Sequence, residues 1–380
     1  MIIDTVTLVC CTALLVLCVV SVLMNPFVRG FRKRHGEDAS ETGDKPISVL
    51  VMANDNAEAL EAHLPVLLSQ SYEADYEVIV VMKHGDVATE CVIKNLPQTQ
   101  NLKTTFIPGG SLFMSDRKLA VTLGVKAAQY EWVVLLDAES TPLSHRWLSA
   151  IAKRCNPEND IVLGYSNFSP TAKASYRFER IRTFHYLARQ AVKGCAYRCG
   201  GTNLAFRKRM FIDGDGYKGN LQYNNGEYDF IVNKYSRPLR TALATSKDAI
   251  IREDEPSKRT WTNKHLAYLF LRKAMKHGKG LRLLQGVDTL LLWMNYIVIV
   301  SAIAFSVCSQ NWTVLSVATL SMIATLWLRI FFAGKALWAF EEQMAKWKIP
   351  FLELLLLLRN ASYLLRLSRA DKRDFSTHKL

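Results

Sequence analysis

Polarity is nearly absent from the start of the chain. Val6 to Met24 runs 19 residues without a charge, about enough to cross a ~30 Å hydrocarbon core as a helix. Asp4 precedes the run, and Arg29, Arg32, Lys33 and Arg34 follow it. A cleavable signal sequence shows the reverse order, so residues 1–28 are expected to be a retained transmembrane anchor. A second apolar pair, Gly286–Val307 and Trp312–Ala333, is separated only by Cys308–Asn311 and predicts a helical hairpin over 286–333. Arg329, near the end of that pair, is expected to snorkel toward the membrane surface. In the remaining tail, 334–380, the Leu-rich stretch Leu354–Leu367 carries Arg359 and Arg366 and predicts an interfacial helix rather than another span.

Between these membrane segments the pattern changes. Residues 29–45 form a basic and then polar linker. From there to about residue 280, short unbroken apolar runs alternate with amphipathic ones. Ile47–Met52, Glu77–Met82, Thr104–Ile107, Trp132–Leu136 and Ile161–Gly164 predict strands. Ala57–Ser69, Asp86–Asn95, Arg117–Ala128 and Ser144–Arg154 predict helices, the first with Leu60, Leu64, Leu67 and Leu68 on one face. Repeated β-α units with fully apolar strands imply an α/β domain with a mostly parallel sheet covered on both faces. The helical stretch containing Phe178, Ile181, Phe184 and His185 fits either a membrane-surface helix that delivers a lipid-linked acceptor or core packing.

Charge refines the topology. Lys and Arg number 48 against 34 Asp and Glu, a net +14. The excess is confined to Arg29–His35, Arg252–Arg282 and Arg359–Leu380, all beside apolar segments. This places it at a membrane surface rather than in a nucleic-acid groove. Under the positive-inside rule the N-terminus is outside, the middle domain and tail are cytosolic, and the protein is multi-pass. Eight cysteines without a CxxC pair give neither a disulfide framework nor a zinc site. No GxGxxG follows the first strand and no GxxxxGK[ST] occurs, which disfavours dinucleotide oxidoreductases and P-loop NTPases.

Ligands of such sheets sit at the carboxyl ends of the strands. There the chain carries Ala53-Asn54-Asp55 after the first strand and Asp137-Ala138-Glu139 after the fourth. Carboxylates at i and i+2 suit a hard divalent ion, Mg²⁺ or Mn²⁺, shared with a diphosphate. The same spacing also suits the start of a helix. Glu227 and Asp229 follow Asn224-Asn225-Gly226, and Gly200-Gly201 precede the strand-like Thr202–Phe206.

Taken in order, these motifs resemble family 2 glycosyltransferases of the GT-A fold, in particular membrane-anchored bacterial members with one N-terminal span and a C-terminal pair. The resemblance runs from Pro46 to His277. It rests on ISVLVMANDNAEALEAHLPVLLSQSYEADYEVIVV, DRKLAVTLGVKAAQYEWVVLLDAEST, CGGTNLAFRK, NNGEYDFIVN and KAMKH. It implies an inverting, hexosyltransferase-class enzyme of the bacterial inner membrane that moves a sugar from a nucleotide-sugar donor to a lipid-linked or saccharide acceptor at the cytosolic face. Asp137 and Glu139 would hold the metal. Ala53, Asp55, Lys118 and Asp137 would bind the donor, with Lys273, Lys276 and His277 sharing a helix face as a diphosphate clamp. Gly200 and Gly201 would lie on the acceptor side, and Asp229, with Glu227 second, would be the general base.

The motifs also depart from the family pattern. Met82-Lys83-His84 stands where an acidic residue is usual, and the DxD motif is Asp137-x-Glu139. Tyr228 takes the place of the base, and KAMKH replaces a QxxRW element. Two further readings therefore stand beside catalysis: a family member that binds or assembles without turning over, and a processive synthase.

Overall fold

A computed structural model describes residues 4–30, 45–53, 55–97, 99–109 and 114–376, without the side chain of Lys372. The linker segment 31–44 and Asn54 lie outside the described residues. In chain order the elements begin with α1 (Thr5–Met24), β1 (Ile47–Met52), α2 (Ala57–Leu68), β2 (Tyr76–Lys83), α3 (Val87–Asn95), β3 (Leu102–Ile107), α4 (Asp116–Ala127) and β4 (Trp132–Asp137). Next come β5 (Ser140–Pro142), α5 (Trp147–Ala152), β6 (Ile161–Gly164), β7 (Ser166–Phe168), α6 (Ala174–Lys193), β8 (Leu204–Arg207), α7 (Lys208–Asp213) and α8 (Glu227–Tyr235). The chain continues through β9 (Thr241–Ala244), β10 (Ile251–Glu253), α9 (Lys258–Leu271), α10 (Lys279–Cys308), α11 (Trp312–Ala339) and α12 (Ile349–Arg369).

These elements form two compact units. One contains residues up to 30 together with 279–362; the other contains 31–278 together with 363–380. The division falls inside α12, so the expected 334–380 tail is shared between the units.

The α/β unit is built on a seven-stranded sheet, ordered β3-β2-β1-β4-β8-β6-β9. Only β8 runs antiparallel to its neighbours β4 and β6. Every residue of β1 is buried, as are Trp132 to Leu136 of β4. Both faces of these strands are therefore covered, which explains their unbroken apolar sequence. A smaller sheet, β5-β10-β7, stands beside the large one. In the large sheet Met52 pairs with Asp137. This register brings the segments after β1 and β4 out at the same sheet edge.

Helix α6 decides the open question about its aromatic stretch. Phe178, Ile181, Phe184 and His185 are all buried in the α/β unit, so they are core. Burial pushes the His185 imidazole down to about 4, keeping it neutral near pH 7.

The other unit contains three helices long and apolar enough to cross a membrane: Thr5–Met24, Lys279–Cys308 and Trp312–Ala339. The last two extend beyond the expected 286–333 hairpin. The Leu-rich helix starts earlier than expected, at Ile349, with Pro350 in its first turn, where a missing N–H costs nothing.

Arg329 does not snorkel. It is buried among the helices, with Nε donating to Glu353 Oε2 at 2.7 Å and Nη2 to Glu353 Oε1 at 3.1 Å. Nη1 donates to the Ser21 carbonyl at 2.7 Å, and Asp288 lies 3.6 Å from the guanidinium. Glu353 also accepts from Asn25 Nδ2 at 3.3 Å. Arg329 thus ties its own helix α11 to α1, α10 and α12, each of which presents an oxygen to it. Breaking such a pair strands charge in an apolar interior, which typically costs about 3–5 kcal/mol. Arg329→Ala is expected to lower the thermal unfolding midpoint in detergent sharply, whereas a surface control such as Lys335→Ala should leave it unchanged.

Candidate active site

The candidate site is a cavity of about 700 Å³ in the α/β unit, reaching from the end of β4 to α6, α8 and α9. Asp137, the last residue of β4, and Glu227, the first of α8, both line it. They are joined by a side chain absent from the expected set. Arg117, in the first turn of α4, donates from Nη2 to Asp137 Oδ1 at 2.7 Å and from Nε to Glu227 Oε1 at 2.5 Å. Tyr228 adds a third link, its hydroxyl donating to the same Asp137 oxygen at 3.0 Å. Burial and the Asp137 carboxylate hold the Tyr228 hydroxyl well above its ordinary pKa, so it stays a protonated donor. Burial would raise the Glu227 carboxyl, but the Arg117 guanidinium and the helix-start backbone outweigh it and hold the group below its ordinary value. Glu227 is therefore an anion at neutral pH.

Lys118 does not face this cavity. It is buried, and its Nζ donates to the carbonyls of Asn220 and Tyr223, each at 2.6 Å. The ammonium also lies 4.7 Å from the Phe230 ring centre. Consecutive residues of a helix point about 100° apart, so Arg117 and Lys118 cannot share a direction. Lys118 lies on the buried stripe with Val121 and Val125, and Arg117 takes the cavity side. Arg117, and not Lys118, is therefore the cation of this helix start that faces the cavity.

Asp229 lines the cavity, but its bonds are structural. Oδ1 accepts from the backbone N–H of Cys199 at 3.1 Å and of Gly200 at 3.2 Å, while Oδ2 lies 3.6 Å from Arg198. The Arg198 guanidinium is itself stacked 4.0 Å from the Tyr268 ring centre. Asp229 braces the glycine loop.

Gly200 and Gly201 also line the cavity, and here the requirement for glycine comes from packing. Gly200 has φ +77°, and a Cβ at Gly201 would stand 2.4 Å from Arg180 Nη1. That space belongs to a buried ion pair, with Arg180 donating to Glu253 at 2.7 and 2.9 Å. Glu253 also accepts from Ser166 Oγ and Thr202 Oγ1. Burial opposes its charge, yet Arg180 and Lys264 hold its carboxyl well below the usual range.

The remaining expected residues lie outside the cavity lining. Ala53 is buried at the end of β1 and donates to the Val81 carbonyl at 2.9 Å. Asp55 is exposed, with φ +54°. Glu139 is exposed, and its backbone carbonyl accepts from Asp254 N. Lys273, Lys276 and His277 share no helix face, because α9 ends at Leu271 and the chain turns. Asn233 holds that turn, bonding both the N–H and the C=O of Lys276 at 2.7 Å. His277 has φ +62°, and its carbonyl accepts from Gln190. The three side chains are exposed, so the clamp is replaced by a surface turn.

The described residues contain no cluster of three or more His, Cys, Asp or Glu able to grip a metal by themselves. The carboxylate chemistry at Asp137 nevertheless fits a hard divalent ion that shares oxygens with a diphosphate. The guanidinium on Asp137 Oδ1 marks the position as one that holds positive charge. Glu139 is not brought to the same point.

No protein-family model and no curated protein sequence matches the chain. Solved structures do. A mannosyltransferase from Pyrobaculum calidifontis, PcManGT, in complex with GDP-Man and Mn²⁺, aligns with a TM-score of 0.53 at 16% identity, over 84% of this chain and 98% of that one. S. aureus TarS 1–349 in complex with UDP-GlcNAc aligns at 12% identity over 83% and 92%, with a TM-score of 0.43, too distant to bear on the fold. The likeness to the mannosyltransferase shows that this chain shares that protein's fold.

Burial pushes the Lys118 ammonium down to about 8, against some opposition from Glu227. Between roughly pH 8 and 10.5 the unfolded chain therefore binds a proton here that the folded chain has released, and stability contributed at this position rises with pH. The unfolding free energy of the wild type, measured relative to Lys118→Met, is expected to increase across that window. A flat difference would mean that Lys118 titrates normally.

Proposed function

We propose that the protein is a nucleotide-sugar-dependent glycosyltransferase of the family 2, GT-A type, anchored in a bacterial inner membrane with its N-terminus outside and its catalytic unit cytosolic. The carrying observation is the Asp137–Arg117–Glu227 bridge at the carboxyl edge of a sheet whose fold is that of a glycosyltransferase. The bound GDP-Man and Mn²⁺ of the mannosyltransferase support a nucleotide-sugar donor and a divalent ion here. Ala53 and Asp55 would face the nucleotide, and Asp137 is the residue that would hold Mn²⁺ or Mg²⁺. Such an ion neutralises charge building on the departing diphosphate.

The chain's own groups have separate tasks in this reading. Arg117 carries fixed positive charge beside Asp137 and orients Glu227. Glu227 takes the proton from the acceptor hydroxyl as that oxygen bonds the anomeric carbon and the nucleoside diphosphate leaves, with inversion. It is preferred over Asp229, whose oxygens hold two backbone N–H groups and face Arg198. Arg198, Arg180 and the glycine loop form a preorganised acceptor-side wall. The acceptor is a lipid-linked or free saccharide.

A second reading, donor binding without turnover, is favoured by one contact. Tyr228 occupies the position the resemblance gives to the base and donates to Asp137. Purified full-length protein incubated with a panel of nucleotide sugars and Mn²⁺ separates the two. Hydrolysis or transfer of one donor supports the enzyme; saturable binding with no turnover supports the second reading. In the active case Glu227→Gln is expected to lower kcat at least ~100-fold with little change in donor KM. Asp229→Asn should act mainly through stability. Equal turnover by Glu227→Gln and wild type would overturn the base assignment.

A further inference from the structure

The C-terminal segment returns to the α/β unit after Ser362, and its contacts are specific. Tyr363 accepts from Trp261 Nε1 at 3.0 Å and stacks on His265, with ring centres 4.7 Å apart. Tyr363 and Phe375 are buried in one apolar cluster with Phe168, Tyr176 and Trp261. Ala370, Asp374 and Phe375 line the candidate-site cavity.

The end of this segment grips the turn that leads into α8. Asn224 donates from its backbone N–H to the Phe375 carbonyl and from Nδ2 to the Asp374 carbonyl, both at 3.0 Å. Tyr223 and Ser376 form an antiparallel bridge. The Phe375 ring lies 5.4 Å from Phe270, which meets Tyr223 at 6.1 Å; Tyr223 in turn stacks on Phe230 of α8 at 5.4 Å. From the other side, Lys118 holds the carbonyls of Asn220 and Tyr223. The turn that sets the position of Glu227 is therefore clamped between α4 and the C-terminal segment.

We propose that residues 370–376 form a strap that positions Glu227, with Phe375 and Asn224 as positioning residues, so that catalytic competence depends on this segment remaining docked. The turn has little regular structure of its own, and its backbone groups bond to Lys118 and the strap. Undocking the strap removes two of its hydrogen bonds and its aromatic cover. Among the described residues, neither Ala53 nor Asp137, at the donor edge of the sheet, bonds to the strap. The defect is therefore predicted in turnover rather than in nucleotide affinity. The kinetic part rests on the proposed glycosyltransferase reading; the positioning part does not.

Hydrogen exchange on the full-length protein, combined with nucleoside-diphosphate calorimetry and donor kinetics, tests this. Phe375→Ala is expected to speed exchange of amides in 223–230 at least tenfold, leaving β1, β2 and β4 unchanged, and Phe375→Leu should restore protection. Nucleoside-diphosphate affinity should stay within twofold while kcat falls at least tenfold at similar donor KM. Asn224→Ala should act in the same direction if Phe375→Ala proves unstable. Unchanged exchange in 223–230 overturns the strap, whether or not the wild type transfers sugar. Faster exchange with undiminished kcat overturns its positioning role. Absence of turnover in the wild type counts against the glycosyltransferase reading and leaves the exchange result to decide the strap.

Discussion

The site depends on one guanidinium. Arg117 is the only side chain among those described that bonds both the last residue of β4 and the first residue of α8. Asp137 and Glu227 lie 90 positions apart in the chain, and without a cation between them their like charges would repel across the cavity. A planar guanidinium suits the task because its N–H groups sit on separate nitrogens in a fixed fork, whereas a lysine offers all of its donors from one nitrogen.

The same device recurs around the cavity and in the unit of long apolar helices. Arg180 satisfies Glu253, and Arg198 faces Asp229 while stacked on Tyr268. Each carboxylate also accepts from backbone or hydroxyl donors, so little of its hydrogen-bonding capacity is wasted. Arg329 plays the corresponding part between α1, α10, α11 and α12. Such networks fix geometry before a ligand arrives, which is what charge stabilisation in a preorganised site requires.

Much of the scaffold was legible because its signals are local. Unbroken apolar runs mark the buried parallel strands, and long apolar stretches, one free of charge and two with a single charged residue each, mark the three long helices. The place of Asp137 at the carboxyl edge followed from the strand before it. Other features depend on contacts distant in sequence. Lys118 and Arg117 are adjacent, and the apolar stripe Lys118-Val121-Val125 was the available sign that the lysine points inward. KAMKH looked like a helix face because nothing nearby announces the Asn233 bonds that turn the chain after Leu271. Arg329 looked able to snorkel until Glu353, 24 positions on, was seen to reach it. The C-terminal strap had no sequence signature: a short run with one aromatic, Phe375, gives no hint that Asn224 lies 150 residues upstream of Asp374 and bonds to it.

In the proposed function Arg117 does more than add charge: its fork fixes Asp137 where a donor diphosphate would meet it and separately orients Glu227. The most direct measurement is calorimetry of GDP and UDP binding, with Mn²⁺ present, to the wild type and to Arg117→Lys, with thermal unfolding measured on the same samples. Lysine keeps the positive charge but loses the two-carboxylate fork. The account predicts at least tenfold weaker binding, a loss of about 1.4 kcal/mol, with the unfolding midpoint little changed. Equal affinity in a stably folded Arg117→Lys would contradict it.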